Sequence, residues 1–427
     1  MNKALLNTAW ILGEKTAAAL AGIFITVHVA RYLGPGAFGL ISLALAVVAL
    51  ITPLIKLGSD NVIFNRLAHK RHSGLLLMAA STRVRAINYV VICALLTLGA
   101  QLHFDTPQQK LVFSLLIWGS FFTTHEIYGL FFDSSLDSKF NTVAQNSALI
   151  VGVALKFALI KLGAILVFFA LAHILQWAIS YGIKRHLFKH KTRDVTHTLK
   201  RRSRRHTRHI VRVGLPLAIS SLSVAIYTRT DQLMLGSMLD ETHVGWYSAA
   251  LTLSQGWMMF PIALMTSWMV GINEAARSAR RGLFEHRVRH LFVVVFLIAL
   301  VPATVMGLFS EAVIALLYGS DYGPAAEVLR ITAISSVFSV LGTTAFNVIT
   351  VMGGYGFLLR KMLLVSALNI GLNALLIPRF GLVGAACSTL VAEILSAVVL
   401  NLFYQKGRVL TLQLTAPLGL RRVPASP

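Results

Sequence analysis

Arg229 and Asp231 interrupt an otherwise apolar run at YTRTDQLMLG. A charge in hydrocarbon costs about 3 kcal/mol or more unless it pairs, snorkels or faces water, so both are candidates for binding or coupling. Arg229 carries a planar fork suited to bidentate binding of a carboxylate or phosphate. Ser220, Ser223, Tyr227 and Thr228 precede Asp231 and form with the two charges a polar stripe that fits the wall of a hydrated cavity. Two positions apart, Arg229 and Asp231 point to different helix faces, which argues against a direct pair. The plainer alternative has Asp231 closing its helix near the outer interface and pairing with a neighbour.

Other embedded charges carry the same choice. Lys15 reaches the inner interface by snorkelling, whereas the short carboxylate of Glu14 does not, which makes Glu14 a proton or cation site or a counter-ion. Lys156 lies two-thirds of the way across its segment, adding positive charge to an interior route or reaching outward beside Lys161. Arg31, one turn after His28, anchors the outer interface or lines the cavity. Glu393, one turn after Thr389, bonds across helices or titrates. Lys56 reads as a snorkelling anchor. His125-Glu126 opens like a zinc-protease helix, but Gly129 stands where the second His is needed, and no phosphate-binding Gly-rich loop occurs. Neither a metal nor a cofactor is implied, and no catalytic residue is assigned.

These residues need membrane helices to hold them. Hydrophobic residues make up 56% of the 427 and charged residues 13%, against about 25% in a soluble fold. The net charge of +23 sits mostly in loops, which suits an anionic membrane leaflet better than nucleic acid. Cys93 and Cys387 lie in apolar stretches, so no disulfide framework is expected. No cleavable signal is evident, and the first helix is expected to be retained.

About 20 apolar residues make a span. Twelve are expected, near 8–31, 37–58, 84–103, 110–132, 142–161, 163–183, 210–236, 244–270, 288–309, 326–352, 357–377 and 380–403. Basic residues sort to the loops after spans two, six, eight and ten, above all the run at 184–212. The opposite loops carry Asp105, Asp240, Glu241, Glu311 and Asp321. Both termini are therefore expected in the cytoplasm. Segment 61–81 reads as a solvated topogenic loop or, alternatively, an amphipathic surface helix. FGLISLA (38–44) opens span two and VGWYSAA (244–250) opens span eight, an echo that suggests a parallel repeat. The expected architecture is all-α: a six-helix lobe at 1–183, a basic linker at 184–209, a second six-helix lobe at 210–404 and a tail at 405–427.

Four blocks in order, ARYLGPGAFGLISLA (30–44), DQLMLGSMLDETHVGWYSAA (231–250), LYGSDYGPAAEVLRI (317–331) and NALLIPRFGLVGAACSTLVAE (373–393), resemble the oligosaccharide flippases of O-antigen and capsule repeat units. These belong to the multidrug, oligosaccharidyl-lipid and polysaccharide exporter superfamily, and the resemblance covers nearly the whole chain. It implies two lobes around a central cavity, opening alternately to each side of a bacterial inner membrane. The implied substrate is a polyprenyl-diphosphate-linked oligosaccharide, with membrane lipids and other polysaccharide-assembly proteins as further partners. In that frame Arg229, Lys156, Arg31, Lys15 and Tyr227 are expected to line the cavity, and Glu14, Asp231 and Glu393 to serve coupling. The rivals are a drug or cation antiporter on the same plan, a membrane glycan polymerase or ligase, which would normally need larger external loops, and a scaffold without transport.

Overall fold

The computed structural model describes residues 3–192, 204–278 and 281–415, with the side chains of 3–17, 19, 204, 205 and 281 outside the description. The Glu14 and Lys15 side chains, the middle of the basic linker and the end of the tail therefore lie outside the described residues. Every described element is helical. Eight described helices are long and apolar enough to cross a membrane.

The first, α1 (Lys3–Lys56), has 54 residues. A straight helix of that length would measure about 81 Å, far more than a hydrocarbon core of about 30 Å. It breaks at Gly34, where φ 76° and ψ 168° leave the helical region just before Pro35, and so makes two crossings. Helix α15 (Tyr355–Ile394) likewise breaks at Gly381, three residues after Pro378, and continues through a π turn and a 3-10 turn to Phe403. Spans four and eight are each assembled from pieces. The first is α4 (Pro107–Gly119), α5 (Phe121–Thr124) and α6 (Tyr128–Ser134); the second is α10 (Glu241–Gly256) and α11 (Met259–Arg277). With α3 (Arg71–His103), α7 (Lys139–Lys161), α8 (Leu166–Lys191), α9 (Arg204–Met238), α12 (Arg281–Leu308) and α14 (Ala325–Val351), twelve crossings result among the described residues.

Segment 61–81 is neither loop nor one surface helix. It divides between α2 (Ser59–His69) and the first turns of α3, which starts at Arg71 and runs on into the span. Burial explains this: Val62, Ile63, Leu75 and Met78 pack with Phe131, Phe132 and Phe188 in one apolar cluster.

Contacts gather the chain into two compact units, Met1–Pro35 with Thr230–Pro427, and Gly36–Arg229. The first crossing thus groups with the later helices, and most of α9 with the earlier ones. In the first unit α14 packs on α10, α12 and α15. Val288, Leu291 and Val295 of α12 meet Val340, Ala345 and Val348 of α14 in its core. Helix α13 (Ser310–Leu317) and the turn at Ser320–Tyr322 tie down the first arm of α1: Tyr322 donates to the Ala30 carbonyl at 2.7 Å, and Arg31 to the Leu316 carbonyl at 3.2 Å. Gly245 supplies the close approach beside them, since a Cβ there would stand 2.0 Å from the Pro35 carbonyl oxygen.

In the second unit the turn between α1 and α2 presses on α9. Gly58 has φ +63°, and a Cβ there would lie 2.1 Å from the Gly214 carbonyl oxygen. Gly58→Ala is expected to destabilise the protein by about 2–4 kcal/mol, combining left-handed strain with overpacking. Thermal unfolding in detergent checks this; an unchanged melting temperature would show that the turn backs away freely.

Candidate functional site

Polar residues recur along one side of two apolar helices. On α11 they are Thr266, Asn273 and Arg277; on α14 they are Thr343, Asn347 and Thr350, four and three residues apart. Such spacing stacks them into facing stripes. Between the stripes lies a cleft of about 710 Å³, walled on its apolar side by Ile262, Met265 and Met269 and bounded by Tyr355.

The hydroxyls of Thr266, Thr343 and Thr350 each donate to the carbonyl four residues back, at 2.9, 2.9 and 2.8 Å. Asn273 and Asn347 do the same through their amide groups, at 2.8 and 3.0 Å. The stripe is thereby satisfied without a ligand, yet keeps oxygen lone pairs for hydroxyl donors. Arg277 is the one charged residue among the described lining residues.

Elsewhere in the same unit Asp231 gathers three donors. Tyr247 reaches it at 2.6 Å, Asn373 at 2.6 Å and Thr389 more closely still. Tyr247 and Asn373 are fully buried, and Asn369 adds a 3.3 Å bond with Asn373. One residue on, Gln232 donates to Ser248 at 2.8 Å. These bonds join α9, α10 and both arms of α15 at one carboxylate. Helix α9 continues seven residues past it to Met238, so Asp231 is not a helix-closing residue.

The remaining expected residues are dispersed. Arg229, half-buried on α9, belongs to the Gly36–Arg229 unit, as do half-buried Tyr227 and buried Lys156. Lys156 donates to the Gln176 amide oxygen at 3.3 Å. Arg31 is exposed and held by the Leu316 carbonyl. Glu393 is buried one turn beyond Thr389, its carboxylate 3.9 Å from where a Cβ on Gly342 would lie, and within electrostatic reach of Lys361. Lys361 itself donates to Asn401 at 2.9 Å. Lys56 pairs with Asp60 at 3.0 Å, an inward use of the residue read as an anchor. Glu126 accepts the Gly129 N–H at 2.7 Å and pairs with Lys184 at 3.4 Å.

The cleft was not anticipated from sequence. Its signal was the polar recurrence on spans eight and ten, visible only if each Asn and Thr is counted on a helical wheel as the charges were.

Two family models match the chain: the polysaccharide biosynthesis protein family over residues 4–269, and the MatE family over residues 216–375. A probable low-salt glycan biosynthesis flippase, Agl15 of Haloferax volcanii, is 23% identical over 195 residues, covering 46% of this chain and 41% of the relative. The multidrug resistance protein NorM of Burkholderia vietnamiensis is 27% identical over 214 residues, covering 46% and 44%. The chain spans less than half the length of these curated relatives. Two solved structures share the fold. An inward-facing multidrug resistance MATE transporter of the MOP superfamily has a TM-score of 0.73 at 16% identity, covering 93% of this chain and 96% of that one. The lipid II flippase MurJ, in an inward closed conformation, has a TM-score of 0.73 at 14% identity, covering 95% and 90%.

Proposed function

The chain belongs to the polysaccharide biosynthesis protein family, and from that premise we propose that this multi-pass membrane transporter flips a polyprenyl-diphosphate-linked oligosaccharide across a bacterial inner membrane. The two six-helix lobes, 1–183 and 210–404, open alternately to either side, and both termini face the cytoplasm. The observation that carries the reading is the charge of the α11–α14 cleft. It offers amide and hydroxyl oxygens to a hydroxyl-rich glycan and a guanidinium to a phosphate, with no carboxylate among its described lining. A cationic drug would find there a repelling charge and no counter-ion.

Arg229, Lys156, Arg31 and Lys15 are the further cationic candidates for substrate contact, with Tyr227 as a polar one, while the polyprenyl tail stays in lipid. Asp231, Glu14 and Glu393 bias the lobes through a proton or cation. The three-donor arrangement around Asp231 supports that role, because neutral donors hold a carboxylate in place without neutralising it.

Leaflet-specific labelling of the lipid-linked glycan tests the reading. Arg229→Ala and Arg277→Ala are each expected to slow translocation about tenfold at equal protein levels, the loss of one charge-assisted contact. Unimpaired translocation removes that residue from the mechanism. The second reading, a drug or cation antiporter, is favoured by the MatE match and the membrane-embedded Asp231. Efflux of a cationic dye by the parent protein, without any glycan translocation, would establish it instead.

A further inference from the structure

A second cavity, of about 300 Å³, lies within the Gly36–Arg229 unit among α5, α7 and α8. Its walls combine two chemistries that apolar membrane helices rarely bring together. Phe122, Trp177 and Tyr181 supply aromatic faces. Tyr181 is braced edge-on by Phe121 and Phe122, with ring centroids at 6.2 and 5.8 Å, and lies tilted against Tyr128 at 5.6 Å. Thr123, Gln145, Gln176 and Ser180 supply neutral hydroxyl and amide groups.

Both charges of the cavity are matched. Lys184 is buried and stands 3.4 Å from Glu126, whose other oxygen accepts the Gly129 N–H. Gln176 is oriented from behind by Lys156, which donates to its amide oxygen at 3.3 Å and so turns the amide NH2 away from the ammonium. Gly152 makes room for that contact, because a Cβ there would lie 2.7 Å from the same oxygen.

Each alternative ligand class fails on one of these features. A lipid chain gains nothing from four neutral polar groups and an ion pair. A lone phosphate needs an uncompensated cation in the wall; Lys184 already faces a carboxylate, and Lys156 stands behind Gln176, outside the lining. A drug cation would meet aromatic faces, yet the buried Lys184 ammonium stands in the same wall and Glu126 is already paired with it. A sugar ring presents apolar C–H faces for the aromatics and hydroxyls that donate to and accept from amides. The volume sits at the lower end of small-molecule sites, about 300–1,000 Å³, and suits one ring rather than a whole repeat unit.

We infer that the α5–α7–α8 cavity is a recognition subsite for one neutral sugar ring, formed by Trp177, Tyr181, Gln145 and Gln176 over the Glu126–Lys184 pair. The assignment rests on the flippase reading, which supplies the glycan; within it, the subsite selects which glycan is accepted. Lys156 is a positioning residue acting through Gln176.

The test uses the full chain in lipid nanodiscs, with methyl glucoside, methyl galactoside, N-acetylglucosamine and N-acetylgalactosamine as probes and thermal stabilisation as the readout. At least one probe is expected to stabilise the parent. Trp177→Ala and Gln145→Leu should each weaken that binding tenfold or more, while Trp177→Phe keeps most of it. Leu175→Ala, exposed on the same helix, should leave it unchanged. Gln145 is itself exposed, so its variant remains informative if Trp177→Ala does not fold. Absence of stabilisation by all four probes, or binding that persists in both pocket variants, overturns the subsite. Leaflet labelling separates the two readings: a parent that flips lipid-linked glycan but binds no probe retires the subsite alone. A parent whose probe binding is lost in the pocket variants, but which flips no glycan, retires the flippase reading and leaves the sugar site standing.

Discussion

Asp231→Asn is expected to lower glycan translocation by about two orders of magnitude while leaving the protein folded and abundant. The amide has the same shape, but its NH2 now faces the hydroxyls and amide that donated to the carboxylate. The loss expected is that of the proton- or cation-driven step itself, and two orders of magnitude in rate correspond to about 2.7 kcal/mol of barrier. Tyr247 and Asn373, both fully buried, then lose a carboxylate acceptor that they cannot replace with water. Melting temperature should move little, because removing a charge from a poorly hydrated site offsets part of the lost bonding. That split between a large transport defect and a small stability change distinguishes a coupling carboxylate from a structural one. Leaflet labelling together with thermal unfolding measures both, and normal translocation by the Asn variant would exclude Asp231 from coupling. Tyr247→Phe removes a single donor and should give a smaller defect in the same direction.

Arg85→Ala carries the largest expected loss of stability, about 3–5 kcal/mol, from the cavity a fully buried side chain leaves and from the stranded Thr124 and Ser59 acceptors, while partly exposed Asp60 keeps Lys56. Arg85 has no exposed surface. Its guanidinium donates to the Thr124 carbonyl at 3.0 Å and to the Ser59 hydroxyl at 2.7 Å, and pairs with Asp60. One side chain thus joins the start of α2, α3 and the end of α5. Burial pushes the Asp60 carboxyl upward, but Arg85 and then Lys56 outweigh it and hold the group below its ordinary 3.8. A folded value below the unfolded one means that this contribution is fully present above the unfolded value and is lost as pH falls through the depressed folded value. The parent protein should therefore resist acid unfolding to a lower pH than Asp60→Asn. A double-mutant cycle with Arg85→Ala isolates the pair. Independent, additive losses would show that Arg85 acts through Thr124 and Ser59 alone.

Gly34-Pro35 and Pro378 with Gly381 punctuate the apolar runs where two long helices break, and four residues, 162–165, suffice to part α7 from α8. The number of crossings was legible for a simple reason: lipid demands only length and hydrophobicity, properties each segment carries by itself. Segment 61–81 misled because its mixed polarity gives no sign that Leu75 and Met78 meet Phe131 and Phe188. The repeat echo marked a packing site in at least one half, where Gly245 lets α10 approach the Pro35 carbonyl.

Sequence by itself determined that Arg229, Asp231, Lys156 and Glu393 had to be accounted for, since any charge in an apolar helix must be. Tertiary structure alone decided how. Asp231 meets Asn373 and Thr389 from 142 and 158 residues away, and Arg31 meets the Leu316 carbonyl from 285. Which partner a buried group finds depends on the rotation and register of each helix against its neighbours. Those are set by the interlocking of side chains distant in the chain, and no local pattern encodes them.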